Sequence, residues 1–244
     1  MILLSLLLSG MAAAYMPPAF SVYAHLAEQK AKTPVTGVAV TISRPQAGGT
    51  EEILGTLSIP ELTSPAGGWP TLSMLFAANE ESLVRTVTAF GLTVTSESDL
   101  LRVEKEKLAA MKDPPQPFYK TDRTMSLKRA RNTYAWVHGS TDGSRAVWVE
   151  KESFLPLKIT APCPSAASSF GWAKAGENKC ELEFRNLYAL RRGNYQSTRL
   201  TLWKDGTPLL FLSFDKLQTG KVKLPPPDEK LSADVKEVAE TILH

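Results

Sequence analysis

The sequence predicts an α+β fold in which one antiparallel sheet is covered by a few helices. Short runs rich in β-branched and aromatic residues recur along the second half of the 244-residue chain, with turn-forming residues between them. Helical periodicity is confined to the two ends of the chain and to one stretch around residue 80. Because strands and helices do not alternate, the pattern argues against a parallel sheet of the Rossmann type.

The composition is that of an ordinary globular protein, with 43% hydrophobic and 22% charged residues. The 28 Lys and Arg residues against 25 Asp and Glu residues leave a formal charge of only +3, which predicts no nucleic-acid partner. Three His and two Cys residues supply little material for a metal site. We therefore predict no metal and no cofactor.

The chain begins with an apolar run at residues 2–8, and three alanines follow at 12–14. Such a run followed by small residues is typical of a secretory signal peptide, and it is too short to span a bilayer. We predict a signal peptide over residues 1–14, cleavage after Ala14, and a single domain over residues 15–244. A buried N-terminal helix is the alternative.

The first half of the chain mixes helix and strand patterns. Apolar residues at helical spacing predict a helix over residues 19–31, and β-branched runs predict strands over residues 35–43 and 52–59. Residues 71–90 return to helical spacing, with Asn79 as the cap of a second helix. Residues 96–123 fit either a helix or a strand that is followed by a proline-rich loop.

The second half is a succession of predicted hairpins that ends in a helix. Asp205-Gly206 forms the clearest hairpin turn, and Pro156 within a strand indicates an edge or a bulge. The strands are predicted over residues 125–137, 145–150, 154–160, 181–190, 197–203 and 208–214, and the closing helix over 233–243.

Cys163 and Cys180 flank a loop rich in proline, serine, alanine and glycine. In the oxidising compartment to which a signal peptide leads, such a pair usually forms a disulfide. We predict the bond Cys163–Cys180, with two free thiols as the alternative.

Catalytic patterns are nearly absent from the sequence. His138 and Ser140 lie on one short turn, which does not build a nucleophile–base–acid triad, and no G-x-S-x-G elbow is present. We therefore predict a protein that is not an enzyme, and an exported hydrolase is the least favoured alternative.

Two strands are apolar on both faces, at residues 146–149 and 209–214. An antiparallel strand with one wet face alternates apolar and polar residues, so both sides of these strands are covered. Helices can cover one side, and either a ligand or a second layer of protein covers the other.

Several short motifs resemble the LolA/LolB-like family of outer-membrane lipoprotein carriers. The hairpin Ala146-Val-Trp-Val-Glu150 with Leu155-Pro-Leu-Lys158 is similar to the family's valine-tryptophan-valine and leucine-proline-leucine pattern. Residues 184–188 and 200–206 resemble the following strand and Asp-Gly hairpin, and residues 75–92 resemble an insertion in uncharacterised bacterial members. The resemblance runs from about residue 20 to about residue 222.

The resemblance implies a curved antiparallel sheet, a half-open and incomplete β-barrel, wrapped around helices and enclosing an apolar cavity. It implies a monomeric periplasmic carrier that binds the acyl chains of lipoproteins or lipids during sorting to the outer membrane, with inner- and outer-membrane sorting proteins as partners. The alternative from the same resemblance is a periplasmic regulatory or sensor module that docks on a membrane protein.

The doubly apolar strands and the resemblance together suggest which residues line the cavity. Leu202 and Phe211, which flank the Asp205-Gly206 turn, are expected to share a face. The predicted lining consists of Val38, Val40, Leu57, Trp136, Trp148, Leu200, Leu202, Phe211 and Phe214.

Overall fold

A computed structural model gives the fold over most of the chain. It describes residues 16–28, 35–62, 68–76, 79–95, 124–164, 179–185, 199–218, 224–225 and 231–244. The predicted signal peptide, the end of the first predicted helix, residues 96–123, residues 165–178 between the cysteines, and residues 186–190 and 197–198 of two predicted strands lie outside these ranges.

The described residues form nine strands and four α-helices. The strands are β1 (Gly37–Pro45), β2 (Glu51–Ile59), β3 (Met125–Ala130), β4 (Thr133–Gly139), β5 (Ala146–Glu150), β6 (Pro156–Pro162), β7 (Lys179–Arg185), β8 (Arg199–Lys204) and β9 (Thr207–Gln218). The helices are α1 (Ala19–Glu28), α2 (Thr71–Phe76), α3 (Glu80–Ala89) and α4 (Ala233–Leu243).

All nine strands belong to one antiparallel sheet in the order β2-β1-β9-β8-β7-β6-β5-β4-β3. The first strand pairs with the last, so β2 and β3 are the edges and the sheet is not closed. This arrangement confirms the predicted fold class, an α+β fold with an open antiparallel sheet.

Local sequence signals explain where several elements begin and turn. The Asn79 side chain accepts a hydrogen bond from the Ser82 amide at 2.9 Å, which caps α3 as predicted. Asp205 and Gly206 both have positive φ angles, +49° and +77°, as the tight turn between β8 and β9 requires.

The single strand predicted over residues 125–137 is wrong, because the chain reverses in its middle. β3 and β4 form a hairpin in which Ala130 pairs with Thr133. Arg131 takes a φ of +53°, a left-handed conformation that arginine seldom adopts. An arginine at this position therefore does not indicate a turn.

The bulge that Pro156 indicates is confirmed, although its strand is central in the sheet. The pairing of β5 with β6 shifts register between Trp148 and Val149, where Val149 faces Pro156. Pro156 is the first residue of β6, a position that tolerates the missing amide.

The helices cover one face of the sheet, called here the inner face. Inner-face side chains of all nine strands and apolar residues of the four helices belong to one buried core. The Trp69 amide donates to the Thr241 carbonyl at 3.0 Å and attaches the end of α4. Gly68 lies so close to the main chain of His244 that a Cβ there would come within 2.5 Å of it.

The predicted disulfide between Cys163 and Cys180 is present. It joins the end of β6 to the start of β7, where Ala161 pairs with Cys180. Within the described ranges, no helix is long and apolar enough to span a membrane.

Candidate functional site

Seven of the nine predicted lining residues share the inner face. Val40 pairs with Leu57 on one side and with Phe214 on the other, which places these three side chains in a row. The remaining inner-face members are Val38, Trp136, Leu200 and Leu202. The sheet therefore brings together most of the residues that the sequence selected.

Trp148 and Phe211 lie on the opposite, outer face, so their grouping with the other seven is wrong. A bulge between Leu202 and Trp203 adds one residue to β9, and Leu202 pairs with Leu210. Since side chains alternate along a strand, that extra residue turns Phe211 away from Leu202. Trp148 is turned out because its neighbours Val147 and Val149 take the inner positions of β5.

The inner-face side chains are covered. Leu200 and Leu202 are 0% exposed, and Trp136, at 8%, is the most exposed of the seven. The Phe76 ring of α2 meets the Phe214 ring edge-on, with 5.7 Å between centroids. In the described residues, the predicted lining therefore forms a layer of the core beneath helices.

One polar cluster interrupts this apolar layer. His138 of β4 is 2% exposed, and its Nδ1 lies 2.7 Å from the Tyr23 hydroxyl of α1. Its Nε2 lies 3.1 Å from the Thr93 carbonyl. The cluster joins α1, the segment after α3 and the sheet. No sequence signal pairs Tyr23 with His138, because 115 residues separate them.

The indole nitrogen of Trp136 is buried without a hydrogen-bond partner among the described residues. Trp136 lies beside Val149 and next to the edge strand, where Leu127 is its neighbour. A buried donor that lacks an acceptor is costly, and an acceptor atom of a ligand would satisfy it.

A groove of about 920 Å³ crosses the outer face. It runs from the β3–β4 turn, at Arg131, to the β8–β9 turn at Gly206, over Trp148, Lys158 and Glu183. We call it the outer-face groove. Its charged side chains are far apart in sequence, and each one alone looks like an ordinary surface residue, so sequence reasoning missed it.

The outer-face groove is cross-linked by ion pairs. Glu183 binds both Arg131 and Arg185, the latter at 2.8 Å, and accepts a hydrogen bond from the Trp203 indole at 3.2 Å. Lys158 pairs with Glu181 at 3.0 Å. The pair between Arg131 and Glu183 fastens the β3–β4 turn to β7, across the two intervening strands β5 and β6.

The described residues give no sign of an activated nucleophile. Ser140 donates to Asp142 rather than to His138, and its Oγ accepts the Arg145 amide. Hydrogen bonds from the Ser140 hydroxyl and from Ser144 lower the pKa of Asp142 to about 2. No cluster of three metal-ligating side chains occurs in the same ranges.

No family model matches the chain, and the comparison with curated proteins finds no match at its significance threshold. Among solved structures, the chain is similar to the crystal structure of LolA superfamily protein NE2245 from Nitrosomonas europaea, with 8% identity and a TM-score of 0.37. The match covers 85% of this chain and 96% of that one.

Proposed function

We propose that the protein is an exported, periplasmic carrier that binds the acyl chains of lipids or lipoproteins between the inner face of the sheet and the helices. The observation that carries the proposal is the inner face itself, which has buried apolar side chains on all nine strands and is covered, in the described ranges, by short helices. The sheet is not closed, and the helices take no part in its strand pairs. The helices can therefore move off the sheet without breaking a strand pair.

The cover is held mainly by apolar contacts, such as the one between Phe76 and Phe214. An acyl chain can replace such contacts with contacts of the same kind, and each buried methylene contributes about 0.8 kcal/mol. The disulfide supports export to an oxidising compartment. The carbonyl of an acyl ester can accept the hydrogen bond that the Trp136 indole lacks among the described residues.

Displacement of a fluorescent fatty acid by saturated fatty acids of increasing length tests this proposal. We expect affinity to rise about fourfold for each added methylene, until the chain no longer fits between the sheet and the helices. Native mass spectrometry after gentle purification should show retained lipid. An affinity independent of chain length, with no retained lipid, would contradict the proposal.

Phe214 and Phe211 provide a matched pair for the location of the site, because they lie on the same strand but on opposite faces. We expect Phe214→Ala to weaken fatty-acid binding by about tenfold, and Phe211→Ala to leave it within about twofold. Circular dichroism on both variants verifies that they are folded. Equal effects of the two substitutions would place the ligand elsewhere.

A further inference from the structure

The outer-face groove lies on the side of the sheet away from the proposed acyl site, and it carries an excess of positive charge. Lys179 and three further cations line it, Arg129, Arg131 and Lys158. Lys128 and Arg185 lie over the rings of Trp148 and Trp203, at 5.5 and 5.4 Å from the ring centroids. Against these six cations stand three carboxylates, Glu181, Glu183 and Asp205.

Two of the three carboxylates are already neutralised within the groove. Glu183 has two arginine partners and Glu181 has Lys158. Three cations remain without a carboxylate in the described part of the chain, Lys128, Arg129 and Lys179. Arg129 and Lys179 donate only to main-chain carbonyls, those of Arg131 and Gly143. These three side chains are therefore available to an anionic partner.

The shape and the ring contacts narrow the class of partner. The groove is recessed between two hairpin turns, whereas a flat bilayer would rest on the turns and leave the recess empty. Lys158 lies 4.3 Å from the centroid of the Trp148 ring. Because cations already lie over both indoles, they compete with a sugar ring for the aromatic surface on which it would stack.

We propose that the outer-face groove docks an acidic, extended peptide segment of a partner protein. Carboxylates of the segment pair with Arg129, Lys179 and Lys128, and the net positive charge of the groove disfavours basic segments. Clusters of arginine and lysine recognise acidic motifs in this way. The docking site and the acyl site are then on opposite faces, so both can be occupied at once.

Fluorescence anisotropy of a labelled hexaglutamate peptide with the full protein tests the proposal. We expect saturable binding that weakens several-fold as salt rises from about 0.05 to about 0.3 M, because the contacts are ionic. Arg129→Glu with Lys179→Glu should weaken binding by about tenfold or more. The neutral double variant Arg129→Gln with Lys179→Gln should give a smaller loss of peptide affinity. It replaces the charge-reversed variant in the test if that variant does not fold.

The matched control reverses two exposed cations on the helices, Arg85→Glu with Lys236→Glu, and should change binding by less than about twofold. Absence of hexaglutamate binding at low salt, or an equal loss in the control, overturns the proposal. Vesicles of phosphatidylglycerol test a membrane surface as the partner, with phosphatidylcholine vesicles as the uncharged control. If the protein binds the phosphatidylglycerol vesicles more tightly than the peptide and does not bind the control vesicles, the proposal is overturned in favour of a membrane surface.

Discussion

At the scale of single residues, Glu150 shows how one side chain holds a strand end and a turn together. Its carboxylate accepts hydrogen bonds from the Thr133 hydroxyl at 2.5 Å and from the amides of Glu152 and Ser153. Burial acts to raise the pKa of the Glu150 carboxyl, but these hydrogen bonds outweigh it, and the pKa is lower than its ordinary value of 4.5.

Glu150→Gln should therefore destabilise the protein at neutral pH by about 1 kcal/mol. A carboxyl whose pKa is lowered on folding contributes stability above its unfolded pKa and loses it as the pH falls through the folded pKa. The difference in the free energy of unfolding between the parent and Glu150→Gln should thus shrink below pH 4.5. Urea unfolding at several pH values measures it. The exposed Glu152→Gln is the control, and a pH-independent difference would contradict the account.

The largest loss of stability from a single substitution is expected at Leu202, because this residue is fully buried on the inner face. Leu202→Glu puts a carboxylate into an apolar layer, which costs several kcal/mol out of a total stability of about 5–15 kcal/mol. We expect a melting temperature lower by at least about 10 °C, or no cooperative melt. Phe211→Glu on the outer face should melt close to the parent, and the reverse order would show that the faces are misassigned.

The Leu202 and Phe211 pair also shows what sequence can and cannot give. The strands and the Asp205-Gly206 turn follow from local signals, and seven of the nine selected residues share a face. Pro208 lies beside the bulge that separates Phe211 from Leu202, but a proline is found both at the start of a strand and at a bulge, so it does not fix the register. A one-residue shift reverses every later side chain, so face assignment fails where element assignment succeeds.

At the scale of elements, the sheet is a series of hairpins that are fastened at two further points. The disulfide fastens β6 to β7, and the Arg131–Glu183 pair fastens the β3–β4 turn to β7. Sequence predicted the first, because two cysteines leave one possible pairing. It did not predict the second, because that contact depends on the relative position of strands that are not neighbours.

The disulfide should be measurable as both a thiol count and a stability. Purified, unreduced protein should show no reactive thiol after denaturation, and two after reduction. Cys163→Ala with Cys180→Ala should lower stability by about 3 kcal/mol, since the bond closes a loop in the unfolded chain. Scanning calorimetry of the parent with and without reductant is the comparison. Two reactive thiols in the unreduced protein would contradict the assignment.

At the scale of the whole molecule, the sheet and its helical cover are joined through different contacts. The sheet is held by strand pairing along all its length, whereas α4 is held by side chains such as Val238 and by a few main-chain contacts near Trp69. This division means that the cover can be weakened while the strand pairs remain intact.

Val238→Asp should detach α4, because Val238 is fully buried against the core. We expect increased fluorescence of an apolar dye such as anilinonaphthalene sulfonate, while the β signal in circular dichroism is retained. Lys236→Asp, on the exposed side of the same helix, is the matched control and should leave dye fluorescence unchanged. Loss of helix and sheet signals together would show that the cover and the sheet are one cooperative unit.

The pairing of β1 with β9 has a consequence for how the protein acquires its structure. Thr41 of β1 is hydrogen-bonded to Asp215 of β9, although the two are 174 positions apart in the sequence. During synthesis, the β1–β2 hairpin emerges early and has no neighbour on its other side until β9 follows. Contacts between such distant segments make folding slow, because a long loop must close before they form. A nascent chain that stops before residue 207 therefore has no completed sheet.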